Sequence, residues 1–170
     1  MATHLAATIV EHLKNGDFSA LETYFQRESQ DLSPMLALAT SAEFGETWIH
    51  EALSCAAFLG RIDDVSFMLD HGAISEKGGR SGFDALHYAV NRGHFDLARL
   101  LIDRGADLTT VSRFGGTILN TAIWSAVNEP KPQHVAIIRL LIESGASLEN
   151  VWCPEDREDI LALLKQRAGE

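Results

Sequence analysis

Seven histidines and two cysteines are the residues of this 170-residue chain best equipped for chemistry. Histidine titrates near neutral pH and ligates metals, while a thiolate serves as nucleophile or ligand. Their spacing supports neither use. No His-Glu-x-x-His sequence occurs, His50, His71 and His134 fall in separate stretches, and His4 and His12 match no metal-ligand spacing. Neither Cys55 nor Cys153 belongs to a Cys-x-x-Cys pair, which argues against a zinc knuckle or a redox dithiol. Lys77-Gly78-Gly79-Arg80 sets glycines beside cations, as a phosphate cradle would. It lacks the Gly-x-x-x-x-Gly-Lys-Ser/Thr order and follows no strand, so it reads as the tip of a turn. No Gly-x-Ser-x-Gly elbow is present, and Asp63-Asp64 suits a solvated helix start. The expectation is no catalytic residue, no metal site, no cofactor and no small-molecule substrate.

The elements carrying these residues recur. Gly60 and Gly93, Gly72 and Gly105, Leu53 and Leu86, and Ala56 and Ala89 are each 33 residues apart. A period of that length marks stacked units, each covering an apolar face that its neighbour leaves open. The best-formed unit spans 78–110. Leu86, Ala89 and Val90 recur at helical spacing, and Gly93 ends that first helix, since glycine enters the left-handed stop conformation without a Cβ clash. Phe95, Leu97, Ala98, Leu100, Leu101 and Ile102 form a second, more apolar helix that Gly105 closes.

These residues resemble the ankyrin repeat. Gly82, Leu86, His87, Ala89, Gly93, His94, Leu100, Leu101, Gly105, Ala106 and Asp107 match that pattern, whereas Asp84 and Ala85 replace its usual Thr and Pro. Losing the proline removes a rigid first-turn residue, yet Asp84 can cap exposed N–H groups there. The resemblance implies an all-α, short helical solenoid of helix-turn-helix repeats with hairpin-like fingers. It also implies structural hydrogen bonds, rather than catalysis, for His87 and His94.

The unit at 45–77 is more eroded, with Ile49 where the turn glycine belongs. The unit at 111–150 keeps Gly115, Thr117, Leu119 and Ala122, then Ile137, Ile138, Leu140, Leu141, Gly145 and Ala146. Gly145 follows Gly105 by 40 residues, seven more than the repeat, and Pro130 and Pro132 place the surplus in a loop around 127–133. Such a loop is either a recognition element or a neutral insertion. Residues 1–44 read as irregular cap helices, at Leu5–Leu13, Phe18–Phe25 and Asp31–Ala42, with Ser33 as cap and Pro34 in the first turn of the last. Residues 151–170 read as a capping helix opened by Pro154, with Glu155, Asp156, Glu158 and Asp159 in its first turn. The whole chain is expected to be one repeat domain.

The formal net charge is −10, from 24 acidic and 14 basic residues. That balance disfavours nucleic acid, whose binding depends on neutralising phosphates, and suits a partner protein of basic character. No basic leader followed by a long apolar stretch occurs, and no segment approaches the roughly 20 apolar residues of a membrane span. Two lone thiols suit a reducing compartment, so a cytoplasmic location is expected.

In proteins resembling this one, partners meet the finger tips and the exposed face of each first helix. Carried across position by position, that gives Thr47, Trp48, His50, Phe58 and Leu59, then Arg80, Ser81, Phe83, Asn91 and Arg92, and then Arg113, Phe114, Trp124 and Ser125. Aromatics and arginine dominate interface hot spots. Trp48, Phe58 and Leu59 equally suit packing beneath the amino-terminal helices. Phe83, Phe114 and Trp124, further from either cap, are expected to be exposed. The function implied is non-enzymatic protein binding. A sharper form, a bacterial inhibitor or immunity protein that blocks a toxin, follows from a short acidic chain with eroded repeats and no attached domain. A scaffold holding two partners, or an enzyme with an unrecognised site, are the alternatives.

Overall fold

The structure, a computed structural model, describes residues 47–73 and 82–169 together with Thr8, Glu11, His12, Asp17, Ser19, Ala20 and Thr23. Its contacts group the chain into two compact units, Met1–Ala85 and Leu86–Glu170. Seven helices are described: α1 Thr47–Phe58, α2 Ile62–Asp70, α3 Ala85–Arg92, α4 Phe95–Asp103, α5 Ile118–Asn128, α6 His134–Glu143 and α7 Glu158–Ala168. The only β pairing among the described residues is one isolated bridge, Val111 to Thr117. The chain is thus an all-α helical repeat protein.

In the first unit α1 packs on α2. Every residue of α1 from Ile49 to Ala57 is buried, the polar His50 and Glu51 among otherwise apolar or small residues. Val65 and Met68 face it from α2, whose start is tied by an Arg61–Asp64 pair at 2.7 Å. Thr8, Glu11 and His12, and then Ser19, Ala20 and Thr23, are helical at positions inside the two amino-terminal helices the sequence predicts. Between them Asp17 accepts the Ser19 N–H at 2.9 Å and meets His12 Nδ1 at 2.7 Å. Those contacts, Ser19 first, hold its pKa down to about 2. The helix predicted at Asp31–Ala42 and the turn at Lys77–Arg80 lie outside the described residues.

In the second unit α4, α5 and α7 each pack on α6. Leu97, Leu101, Ile118, Leu119, Ile123, Ile137 and Ile138 are fully buried there. At about 1.5–3 kcal/mol for each such side chain, this interior is the main stabilising term of the unit. The helix pairs close as the glycine spacing predicts. Gly93, at φ +77°, ends α3, and Gly105 and Gly145 follow α4 and α6.

The last helix differs from its sequence reading. Pro154 does not open it. A turn closed by Arg157 N–H to the Pro154 carbonyl, 3.2 Å, comes first, and α7 begins at Glu158 with Arg157 at its N-cap. Glu155 and Asp156 therefore sit in the turn, leaving Glu158 and Asp159 to face the positive end of the helix dipole.

Candidate protein-binding surface

The finger before α5 is built around Ser112. Its N–H donates to the Gly116 carbonyl at 2.9 Å, its carbonyl accepts from Gly115, and its buried hydroxyl accepts from the N–H groups of Phe114 and Gly116, both at 3.3 Å. Gly115, at φ +81°, makes the reversal that this tight tip requires. The tip leaves the Phe114 ring 72% exposed, with the Arg113 guanidinium 6.0 Å from its centre. Thr117 then caps α5, its hydroxyl accepting the Asn120 N–H at 3.2 Å.

On α5, Trp124 is 48% exposed while Ser125 is fully buried. One residue of helix turns a side chain by about 100°, so these neighbours cannot share a face. The Ser125 hydroxyl donates to the Thr121 carbonyl at 2.8 Å and accepts from Asn91 Nδ2 at 2.9 Å. Ser125 is therefore withdrawn from the expected contact surface, and Asn91, half-buried on α3, spends its amide on that internal bond. His50 is withdrawn too, because it lies inside the enclosed helix α1. Arg92 and Phe83 are half-buried. The Trp48 and Arg80 side chains lie outside the described residues. Of the expected surface residues, the second unit presents Arg113, Phe114 and Trp124 as exposed.

Two residues to which the sequence reading gave no structural role, Asn120 and His134, help position this surface, beside His87, to which it did. His87 Nε2 donates to the Gly116 carbonyl at 3.2 Å, fixing the finger before α5. Asn120, 33 residues later, does the same for the next finger: Nδ2 donates to the Asn150 carbonyl and Oδ1 accepts the Trp152 N–H, both at 3.2 Å. Only the histidine was signalled, since the motif carries that residue type there and asparagine hides the equivalence. The second residue is His134. It is 1% exposed, Nδ1 accepts the Lys131 N–H at 3.0 Å, and Nε2 donates to the Asn91 carbonyl at 3.2 Å. A neutral imidazole with its proton on Nε2 meets both demands. Burial, with the charges of Lys131 and Arg157, pushes its pKa down, against the pull of the Asn91 carbonyl. The longer loop between α5 and α6 is thus stapled to the end of α3, although the side chains of residues 129–133 stay exposed.

Among the described residues, no group of three His, Cys, Asp or Glu is arranged to hold a metal ion, and no helix is long and apolar enough to cross a membrane.

A family description of ankyrin repeats in three copies matches residues 4–112 and 82–151. Over 104 residues the chain is 34% identical to ankyrin repeat and KH domain-containing protein mask of Drosophila melanogaster, and 34% identical to the human ankyrin repeat and KH domain-containing protein 1. Each match covers 61% of this chain but only 2% and 4% of those proteins. Human protein phosphatase 1 regulatory subunit 27 is 28% identical over 98 residues, 58% of this chain and 57% of its own length. The chain thus spans less than two thirds of each of these relatives. Ankyrin repeats imply a protein–protein interaction module. With repeats matched across most of its length, this chain belongs to the ankyrin-repeat family.

Proposed function

We propose that this chain is a non-catalytic module that binds a basic partner protein through the finger tips and first helices of its repeats, in a cytoplasmic setting. The observation that carries this reading is the exposure of Phe114 at a finger tip and of Trp124 on the helix that follows it. Leaving such rings in water has no structural return, and aromatics with arginine supply most hot-spot energy at interfaces. Arg113 beside Phe114 adds a cation suited to planar contacts. The excess of acidic over basic residues favours encounter with a positively charged protein. Cys55 and Cys153 both remain thiols, which suits a reducing compartment.

The sharper form of the proposal is an inhibitor or immunity protein that occludes a basic toxin or effector. Its support is the acidity and the absence from the sequence of a nucleophile or metal motif. Capture of a stoichiometric partner by the full chain, followed by titration with the Phe114→Ala/Trp124→Ala double variant, tests the module. The variant is expected to stay folded and lose about 2 kcal/mol or more of binding energy, the scale of a hot spot. Full affinity in a folded double variant would overturn the surface assignment. Protection of cells that express the captured partner tests the inhibitor form, and no protection rejects it.

A further inference from the structure

Trp152 is not among the residues that the repeat pattern marks, yet it is 56% exposed. Its backbone N–H is held by Asn120 Oδ1 on α5, and the same amide holds the Asn150 carbonyl. Trp124 lies one turn further along α5, on the strip of helix surface that Asn120 occupies. Two exposed indoles therefore flank one amide, the first on the helix and the second on the finger that the amide secures. A freely moving finger would give no such fixed placement.

The sequence around Trp152 carries mostly one sign of charge. Glu149, Glu155, Asp156, Glu158 and Asp159 are all exposed, and Glu155 and Asp156 lie in the turn closed at Pro154, three and four residues after Trp152. Arg157 is the only base between them. Its guanidinium is already committed, donating to both Asp159 carboxylate oxygens at 2.9 and 2.8 Å and to the Ala126 carbonyl at 2.8 Å. The neighbouring Cys153 thiol senses the result: burial raises its pKa, Arg157 opposes that, and Asp159 and Asp156 add to it.

We propose that Trp124 and Trp152, with Glu155 and Asp156, form a docking surface for an arginine-bearing linear segment of a protein partner. A guanidinium is planar, stacks on an indole face and still donates in its own plane to carboxylates. An exposed indole followed within four residues by two exposed carboxylates offers both kinds of contact. Phosphate-bearing ligands face repulsion at the same place. The proposal rests on the reading that this unit takes a protein partner, and it names the chemistry of the segment recognised.

Calorimetric titration of the full chain with a synthetic peptide of alternating Arg and Gly tests it, beside Lys-Gly and Glu-Gly counterparts and oligothymidine. The Arg peptide is expected to bind tightest, with an affinity that falls as salt is raised. Trp152→Ala is expected to weaken it about tenfold, the scale of removing one indole face together with the cation stacked on it. Glu155→Gln/Asp156→Asn, which leaves both indoles in place, is expected to weaken binding severalfold and flatten the salt dependence. Unchanged affinity in either variant, with circular dichroism showing it folded, overturns the proposal. So does equal binding of the Glu peptide or of oligothymidine. If the Arg peptide fails while the Phe114→Ala/Trp124→Ala variant still loses the captured partner, the arginine inference falls and the interaction module stands. If the captured partner is also retained, both fall.

Discussion

The helix pairs α3–α4 and α5–α6 of the second unit meet the same two structural demands with different chemistry. Each must fix the finger that follows its second helix, and each must reverse the chain between its helices. The first pair uses His87, with one bond to the Gly116 carbonyl, and a tight reversal at Gly93. The second uses Asn120, with a donated and an accepted bond, and a longer loop held down by His134. Position within the repeat, rather than residue type, carries the role. The longer loop also does not stand apart, because it closes onto the reversal of the shorter one. A Cβ at Gly93 would lie 2.8 Å from Lys131 Cβ and 3.3 Å from His134 Nε2.

Breaking that closure gives the largest expected effect. Gly93→Ala combines a positive φ, at about 1 kcal/mol, with overpacking against the loop, at about 1–3 kcal/mol. A total loss of about 3 kcal/mol is expected in chemical denaturation. Gly105→Ala is the control, since Gly105 also has a positive φ, +83°, but nothing within 4 Å of the added carbon. It should cost only the first part. Equal losses at the two sites would show that the loop yields freely to an added methyl.

The finger anchors come next. Asn120→Ala removes two hydrogen bonds at a half-buried site, for an expected loss of about 1–2 kcal/mol. Asn120→His, which imports the residue of the first pair, recovers only part of that, because the two imidazole nitrogens diverge across the ring and cannot both reach the groups that the compact amide serves. Hydrogen exchange at the Trp152 amide is the local readout, with faster exchange expected in both variants. Full protection in Asn120→His would mean that the two anchors are interchangeable.

The smallest effect separates the pairs by pH. Folded His134 resists protonation chiefly because it is buried, with Lys131 and Arg157 as nearby positive charges and the Lys131 N–H already facing Nδ1. The unfolded chain takes that proton at the ordinary value near 6.5. Stability from this site is therefore complete above that value and drains away as the pH falls from it toward the depressed folded value. Melting at pH 7 and pH 5 should show a smaller acid loss in His134→Gln than in the parent chain. An identical loss would place the acid sensitivity elsewhere.

The glycine spacing and the leucine pairs made the helical repeats legible, because backbone reversals and buried stripes leave periodic traces. Single side chains inside that frame were harder to place. Ser125 reads as a surface residue beside Trp124 until the helix rotation and the Asn91 bond turn it inward. His50 follows the repeat register onto an outer face, but α1 is enclosed on every side. His134 stands 40 residues after His94, the same offset as Gly145 from Gly105, so it holds the register of a motif histidine, but the extra loop breaks the 33-residue spacing that would have shown it. Trp152 leaves no periodic trace because the segment after Gly145 departs from the repeat pattern. Its place depends on an amide 32 residues away.

The contact between Gly93 and Lys131 has a bearing on how this chain can be re-engineered or can diverge. Neither of these two repeats is a portable cassette. Shortening the α5–α6 connection to the standard length strips the cover from the earlier turn, and swapping in a generic earlier repeat with a bulkier residue at position 93 evicts the connection. Recombination that respects the joint would move residues 86–143 as one block.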